Sequence, residues 1–195
     1  MMAVEPRFDP ASEARVVAET RAWLEHFVIG LDLCPFAKGV AVRGQVRYAV
    51  TQASDEGDLR ASLREELSLL AEADPAVLDT TLLICPSALP DFEDYNDFLD
   101  EADALLQEMD LEGVIQVASF HPDYRFADTE PDDVTNATSR SPWPMLHLLR
   151  EASVERAVAA FGNTDAIVEA NLRTLRALGS EGWEALRRRW LQHPD

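Results

Sequence analysis

Between residues 45 and 120, short apolar segments alternate with longer amphipathic ones, and this order restricts the fold to a few architectures. Gln45–Thr51, Asp79–Cys85 and Val114–Phe120 predict strands, and the middle one contains the run Leu82-Leu83-Ile84-Cys85, typical of a strand buried on both faces. The segments between them place leucine and aromatic residues at helical spacing. This order predicts an α/β layered domain with a sheet of three to four mainly parallel strands and flanking helices.

The segments outside this alternation predict helices. Ser12 can cap a first helix, and Pro35 favours the start of a short second one, because proline is preferred at the first helical position. From Pro142 onward the pattern predicts helices only, with Gly162 and Gly179 at positions suited to C-caps. We therefore expect helices on both sides of the strand-rich region.

These patterns predict how the chain divides into segments, and they leave one alternative for the fold of the sheet. Residues 1–11 are expected to form a flexible N-terminus, residues 12–162 an α/β core, and residues 163–195 a C-terminal helical extension packed on that core. If Gly39–Arg43 formed a fourth strand, paired with Gln45–Thr51 through Gly44, a ferredoxin-like α+β sheet would be the alternative.

Composition restricts the class of protein and its expected location. Apolar residues make up 47% of the chain, but no apolar run approaches the about 20 residues of a membrane span. The first residues show no basic and apolar signal pattern, and there are only 2 cysteines, Cys34 and Cys85, so we expect a cytoplasmic protein with reduced thiols. A disulfide between those cysteines stays open at this point.

The chain is strongly acidic. It has 36 acidic and 17 basic residues, a formal charge of −19, and no Lys or Arg between Glu65 and Tyr124. Nucleic acids and anionic membrane surfaces require a positive footprint, so we expect neither as a partner. An acidic module that binds a basic partner is one functional alternative.

Leu33-Cys34-Pro35-Phe36-Ala37-Lys38 is the first candidate site segment. If Pro35 begins a helix, the N–H groups and dipole at its N-terminus would stabilise a Cys34 thiolate. Lys38, the only lysine, follows one helical turn later and would lower the thiol pKa further. The alternative is that Cys34 is a small buried apolar residue, as we expect for Cys85.

The second candidate segment follows the third predicted strand. Ser119 and His121 would point to the same side of that strand, and the long irregular segment His121–Ser141 begins where α/β folds place working side chains. His121 is therefore a candidate general base or acid, or a partner of the Cys34 thiolate. The alternative is a histidine that caps the strand end through a hydrogen bond.

The third candidate segment runs from Asn136 to Glu151. Ser141 and Pro142 are typical of a helix start, and a helix N-terminus beside Arg140 is a site for an anion. His147 would lie on the same helix and could point toward the same pocket. The alternative is a well-capped helix with no ligand.

A metal site is a competing hypothesis. His121, His147 and the acidic loop Asp128-Thr129-Glu130-Pro131-Asp132-Asp133 offer nitrogen and oxygen ligands, but no His-x-x-x-His or Cys-x-x-Cys pair is present. We assign no residue as a metal ligand on this basis.

Three of these motifs together resemble a bacterial family catalogued as domain of unknown function 1415. They are Leu33-Cys34-Pro35-Phe36-Ala37, Ser119-Phe120-His121-Pro122, and Arg140-Ser141-Pro142-Trp143-Pro144 with His147-Leu148-Leu149-Arg150-Glu151. The resemblance runs from about Ala18 to the segment beyond His147, and it implies no activity, substrate or catalytic residue.

The residues therefore predict a cytoplasmic enzyme that acts on a small anionic molecule at the carboxyl edge of the sheet, under the loop 121–141. Cys34 would be the nucleophile or redox thiol, and His121 the acid or base. The expected substrate contacts are Ser119, Lys38, Asn136, Arg140, Ser141 and His147. The sequence names no reaction, cofactor or oligomeric state.

Overall fold

The computed structural model describes residues 10–161 and 164–192. Its α-helices are α1 (Pro10–Trp23), α2 (Ala37–Val42), α3 (Glu56–Glu72), α4 (Phe92–Glu108), α5 (Glu151–Phe161) and α6 (Thr164–Gln192). Its strands are β1 (Val46–Val50), β2 (Thr80–Ile84), β3 (Ile115–Phe120) and β4 (Met145–Arg150). A π-helical segment, Leu24–Ile29, continues α1, and a 3-10 helix, Val134–Ser139, lies between β3 and β4.

The strands form one mixed sheet in the order β1-β2-β4-β3. β1 pairs with β2 in parallel, whereas β4 pairs antiparallel with both β2 and β3. Strands β1, β2 and β3 therefore point in the same direction, and β4 runs the opposite way between β2 and β3. The predicted α/β architecture, its three strands and the helices α3 and α4 between them are confirmed.

The prediction that only helices follow Pro142 is wrong for residues 145–150, which form β4. The side chains of Leu146 and Leu148 pack on one face of the sheet and that of Met145 on the other. A strand covered on both faces shows no clear alternation, so its sequence does not differ from that of a buried helix segment. Ser141 caps no helix, because its hydroxyl donates to the Trp143 carbonyl at 2.6 Å.

The ferredoxin-like alternative is also wrong. Gly39–Arg43, which it required as a strand, falls on the helix α2 and its C-cap residue Arg43. Gly44 then has φ 68°, a conformation that favours glycine, and it turns the chain from α2 into β1. The predicted second helix begins at Ala37, after a turn that contains Pro35.

Two apolar cores lie on opposite faces of the sheet. On what we call the α3/α4 face, the leucines of α3 and the aromatic residues of α4 pack against Leu83, Leu146 and Leu148 of the strands. On what we call the α1/α6 face, Leu82, Ile84 and Met145 pack against α1, the π-helical segment and α6. The domain therefore has three layers, with the sheet in the middle.

The C-terminal helix α6 has a break where the sequence predicts a C-cap. Gly179 has φ 69° and divides α6 into two helical parts. The predicted cap Gly162 and most of the predicted flexible segment 1–11 lie outside the described residues, and the boundary at residue 162 stays a prediction. No helix within the described ranges has both the length and the apolar character to cross a membrane.

Candidate functional site

A cavity of about 800 Å³ lies on the α1/α6 face of the sheet. Its floor consists of two rows of cross-strand neighbours: Val46, Thr80, Leu149 and Gln116 in one row, and Leu82, His147 and Ala118 in the next. Its walls come from the π-helical segment, α2, the turn before α2, and α5. The volume falls within the range of about 300–1,000 Å³ that is usual for small-molecule sites.

The residues of the floor explain why the space is there. In the third row of the same face, Ile84 and Met145 are large, apolar and fully buried, so they fill the core. In the two cavity rows, Gln116 and His147 are polar and Ala118 is small. Polar and small side chains on a buried sheet face reduce packing and stability, and such departures from a well-filled core concentrate at functional sites.

The wall residues are mostly apolar. They include Trp23, Leu24, Val28, Phe36, Ala37, Val40, Val154 and Ala157. An apolar body would therefore find contacts on the helical side of the cavity, whereas the polar groups of a ligand would meet the floor and the rim.

His147 has a defined tautomer on the cavity floor. Its Nε2 lies 2.8 Å from the Thr80 hydroxyl, and that hydroxyl is 2.6 Å from the Leu148 carbonyl, which can only accept a hydrogen bond. The Thr80 hydroxyl has one proton, so it donates to Leu148 and accepts from His147. His147 is therefore protonated at Nε2, and Nδ1 has the free lone pair.

The environment of His147 also sets its charge. Burial lowers its pKa to about 4, because the cationic imidazolium would lose its hydration. The side chain is therefore neutral at pH 7. No described residue donates to Nδ1, so this atom is available as a proton acceptor on the cavity floor.

Cys34 lies in the cavity wall, in a well-held loop. The Leu33 N–H donates to the Val28 carbonyl at 2.9 Å, and Asn171 of α6 donates to the Leu33 carbonyl at 2.8 Å. Burial raises the pKa of the Cys34 thiol, although the backbone N–H groups of Phe36 and Ala37 act in the opposite direction. This direction is the reverse of the lowered pKa predicted from the sequence, because burial outweighs the N–H groups.

Charged residues at the cavity include Arg43, Asp79, Arg150 and Arg156. Arg150 is engaged through two of its three guanidinium nitrogens: Nε and Nη2 donate to the carbonyls of Leu70, Ala73 and Leu78, at the end of α3 and in the loop after it. Its role is to satisfy buried carbonyls, and it ties β4 to α3.

His121 lies on the other side of the sheet from Cys34. It packs against Phe92 and Tyr95 of α4, with ring centroids 5.5 and 5.0 Å away, whereas Cys34 packs with the core of the α1/α6 face. The His121 Nδ1 accepts from the Asp123 N–H at 3.0 Å, and Nε2 bonds the Leu89 carbonyl at 3.2 Å. Both ring nitrogens therefore have a hydrogen-bond partner in the backbone. This arrangement agrees with the alternative prediction, in which His121 caps the end of the strand.

Arg140 and Asn136 hold the loop 121–141 together. Arg140 donates to the carbonyls of Tyr124, at 3.1 Å, and Pro131, at 2.6 Å. Asn136, which is fully buried, accepts from the Phe126 N–H at 3.1 Å and donates to the Glu130 carbonyl at 2.9 Å. Since no helix begins at Ser141, the predicted anion site at a helix N-terminus is absent from the described loop.

The remaining predicted contacts do not reach the cavity. Ser119 lies on the α3/α4 side, where its hydroxyl is 3.5 Å from the Tyr124 hydroxyl. Lys38 is exposed on α2 and is not among the described residues that line the cavity. Of the predicted site residues, the structure therefore brings together Cys34 and His147 in one cavity.

The structure also shows where Cys85 lies and whether side chains that could bind a metal come together. Cys85 is buried in the core of the α3/α4 face and donates to the Pro144 carbonyl at 3.2 Å, and burial raises its pKa to about 12. Cys34 and Cys85 are both free, on opposite faces. Among the described residues, no group of three or more His, Cys, Asp and Glu side chains could hold a metal ion.

Sequence reasoning missed Thr80, Gln45, Gln116, Arg43 and Arg156, all of which line the cavity. Two of them had a signal in the sequence. Thr80 and Gln116 are polar positions near the start of strands that are otherwise mainly apolar. The arginines had none, because nothing in the sequence indicates that the end of α2 and α5 border the same cavity.

Comparison with known proteins gives one match. A family model described as Protein of unknown function (DUF1415) matches residues 15–185, which is most of the chain. Neither the curated proteins nor the solved structures contain a match to the chain.

Proposed function

The chain belongs to the DUF1415 family of proteins of unknown function, and we propose that it is an enzyme that acts on a small anionic molecule bound in the cavity on the α1/α6 face. The supporting observation is that Cys34 and His147 line the same cavity. A thiol and an imidazole with a free lone pair are the two groups needed for nucleophilic catalysis.

His147 takes the role of general base that the sequence analysis assigned to His121. Its Nδ1 has no described donor, and Thr80 fixes the tautomer that leaves this atom unprotonated. His121, in contrast, uses both nitrogens to bond the backbone. A base needs a free lone pair, so His147 is the better candidate.

Cys34 takes the role of nucleophile. Its raised pKa keeps the thiol protonated at pH 7, so it needs a base at the moment of attack. In the proposed step, Sγ bonds to an electrophilic carbon of the substrate, and the electron pair of the attacked double bond moves to that bond's outer atom. The thiol proton passes to His147 Nδ1, directly or through a water molecule. A free thiol in this role suits a reducing compartment, so we propose a cytoplasmic location.

The experiment is a comparison of purified variants in a bacterial metabolite extract, followed by mass spectrometry of small anions. We expect the wild type and Cys85→Ala to consume at least one anion and Cys34→Ala to consume none. For His147→Gln the rate should fall by roughly 100-fold or more, the usual contribution of a general base. Cys85→Ala is the matched control, since Cys85 is free but lies on the other face. Equal consumption by wild type and Cys34→Ala would remove the nucleophile from the proposal.

A further inference from the structure

The charge of the cavity is opposite to the charge of the chain. Among the described lining residues, three are arginines (Arg43, Arg150 and Arg156) and one is an acid (Asp79), whereas the whole chain has a formal charge of −19. A local excess of positive charge in an acidic protein attracts anions to the cavity.

Two of the three guanidinium groups are open to a ligand. Arg43 and Arg156 are both exposed, and in the described part of the chain neither forms an ion pair with a carboxylate. Arg150 is much less open, because its side chain is buried and carbonyl groups accept from its Nε and Nη2.

Both available arginines are held in place by neutral side chains. Arg43 Nε donates to the Gln45 side-chain oxygen, and Gln45 is itself fixed by donation to the Pro75 and Ala76 carbonyls at 3.1 and 2.8 Å. Arg156 donates to the Ser153 hydroxyl at 2.9 Å. Anchoring through neutral acceptors positions each guanidinium and keeps its positive charge available.

The Asp79 carboxylate reduces the positive charge on one side only. It accepts from the Ser153 hydroxyl at 2.5 Å, so it acts on Arg156 through Ser153. Arg43 has no such neighbour among its described hydrogen bonds. We therefore expect Arg43 to contribute more to anion binding than Arg156.

We propose that the cavity binds an organic anion with an apolar body, whose negative charge is attracted by Arg43 and Arg156 while the body lies against the apolar walls. The inference rests on the proposed function only in using the same cavity, and it adds the ligand class and the two residues that select it. It requires neither Cys34 nor His147 to react.

The test uses two fluorescent probes with the same body. 8-Anilinonaphthalene-1-sulfonate is an amphipathic anion, and N-phenyl-1-naphthylamine is the same molecule without the sulfonate. Titration of the full-length protein with each probe should give an affinity for the anion at least about 10-fold higher than for the neutral probe, although the chain as a whole is negatively charged. Equal or weaker binding of the anion would overturn the inference.

Single substitutions test whether Arg43 and Arg156 cause the stronger binding of the anionic probe. Arg43→Gln should weaken anion binding by about 5- to 10-fold and Arg156→Gln by about 2- to 5-fold, with little change for the neutral probe, because exposed charge pairs contribute modestly. Arg173→Gln is the matched control: Arg173 is an exposed arginine on α6, paired with Glu169, and is not among the described residues of the cavity. If all three variants bind the anion as the wild type does, the inference is wrong.

Cavity-filling variants show where the probes bind. Ala118→Phe adds bulk to the floor and Ala157→Phe adds bulk to the wall, and each should weaken binding of both probes in a protein whose circular dichroism is unchanged. Unchanged binding in both folded variants would place the probes elsewhere and overturn the inference. Cys34→Ala and His147→Gln should retain anion binding, so a failure of the proposed chemistry and a failure of the proposed ligand class give different results.

Discussion

Replacing His147 with glutamine should remove a large part of the acid sensitivity of the fold. The pKa of His147 is lowered from 6.5 to about 4 by burial, and in the unfolded chain it returns to about 6.5. Below pH 6.5 the unfolded state therefore binds a proton that the folded state does not. The stability that neutral His147 provides is present above pH 6.5 and is lost as the pH falls toward 4.

The size of the effect follows from the two pKa values. A fall from 6.5 to about 4 corresponds to about 3 kcal/mol when complete, at about 1.4 kcal/mol per pH unit. Between pH 8 and pH 5 most of this change has occurred, so the wild type should lose about 2 kcal/mol through this one group. The loss is a substantial part of a typical domain stability of about 5–15 kcal/mol.

The assay is urea unfolding of wild type and His147→Gln at pH 8, 7, 6 and 5. Glutamine can still donate to the Thr80 hydroxyl, so the substitution removes the titration and keeps a hydrogen bond. The quantity to compare is the difference between the two proteins at each pH. Contributions of His121, whose pKa burial also lowers, and of the carboxylates cancel in that difference.

We expect the wild type to lose about 2 kcal/mol more than His147→Gln between pH 8 and pH 5. A difference that stays constant over this range would mean that His147 is protonated as easily in the folded as in the unfolded chain. That result would refute both its neutral state and its assignment as a base with a free Nδ1.

Three further predictions concern neighbouring groups. Thr80→Val should destabilise the fold by about 2 kcal/mol in urea unfolding and change the ¹⁵N shifts of His147, because the hydroxyl both fixes its tautomer and bonds a buried carbonyl. Arg150→Met should destabilise the fold by about 3 kcal/mol or more, since it leaves buried carbonyls without a donor; thermal unfolding measures this, and a loss below 1 kcal/mol would contradict it. Alkylation by iodoacetamide should be slower at Cys34 than at a free thiol, because burial raises the Cys34 pKa, and absent at Cys85 until the protein unfolds, as mass spectrometry of labelled peptides would show; fast labelling of Cys34 at pH 7 would indicate a thiolate.

The elements predicted correctly from the sequence are those whose spacing of apolar residues identifies them as helix or strand. α3 buries Leu59, Leu63, Leu67 and Leu70, which repeat at helical spacing and could be read from the sequence. β2 has every residue buried, and its run ended by Pro86 was correctly predicted as a strand. Residues 145–150 are nearly as buried, but a helix-start pattern, Ser141-Pro142, precedes them and favoured the wrong element.

The same error explains why the sequence analysis grouped Cys34 with His121 in the predicted site, and treated His147 only as a substrate contact. As a helix, residues 145–150 gave no information about which face of the sheet His147 occupies. As a strand, their register places His147 opposite Leu82 on one side and Ala118 on the other. Ser119 then falls on the opposite face from Ala118, because side chains alternate along β3, and His121, which follows the strand, packs on that side against α4. Cys34 could not be assigned to a face from the sequence, since its loop is positioned by Asn171, far along the chain.

The polar floor of the cavity has an energetic consequence that links fold and function. Thr80 and His147 hydrogen-bond to each other and to the Leu148 carbonyl, so these two polar residues of the floor form a chain of hydrogen bonds that ends at His147 Nδ1. If these positions served only the stability of the fold, apolar residues would be expected at positions 80 and 147. Ile84 and Met145, one row away, are apolar and avoid the free-energy cost of burying polar groups. The floor instead retains one unpaired acceptor and leaves the space above it unfilled. If this arrangement serves a ligand, the double variant Thr80→Val/His147→Leu should be more stable at pH 5 than Thr80→Val alone, which leaves the His147 N–H without an acceptor, yet inactive toward any anion that the wild type consumes. A double variant that is less stable at pH 5 than Thr80→Val would show that the polar pair serves the fold.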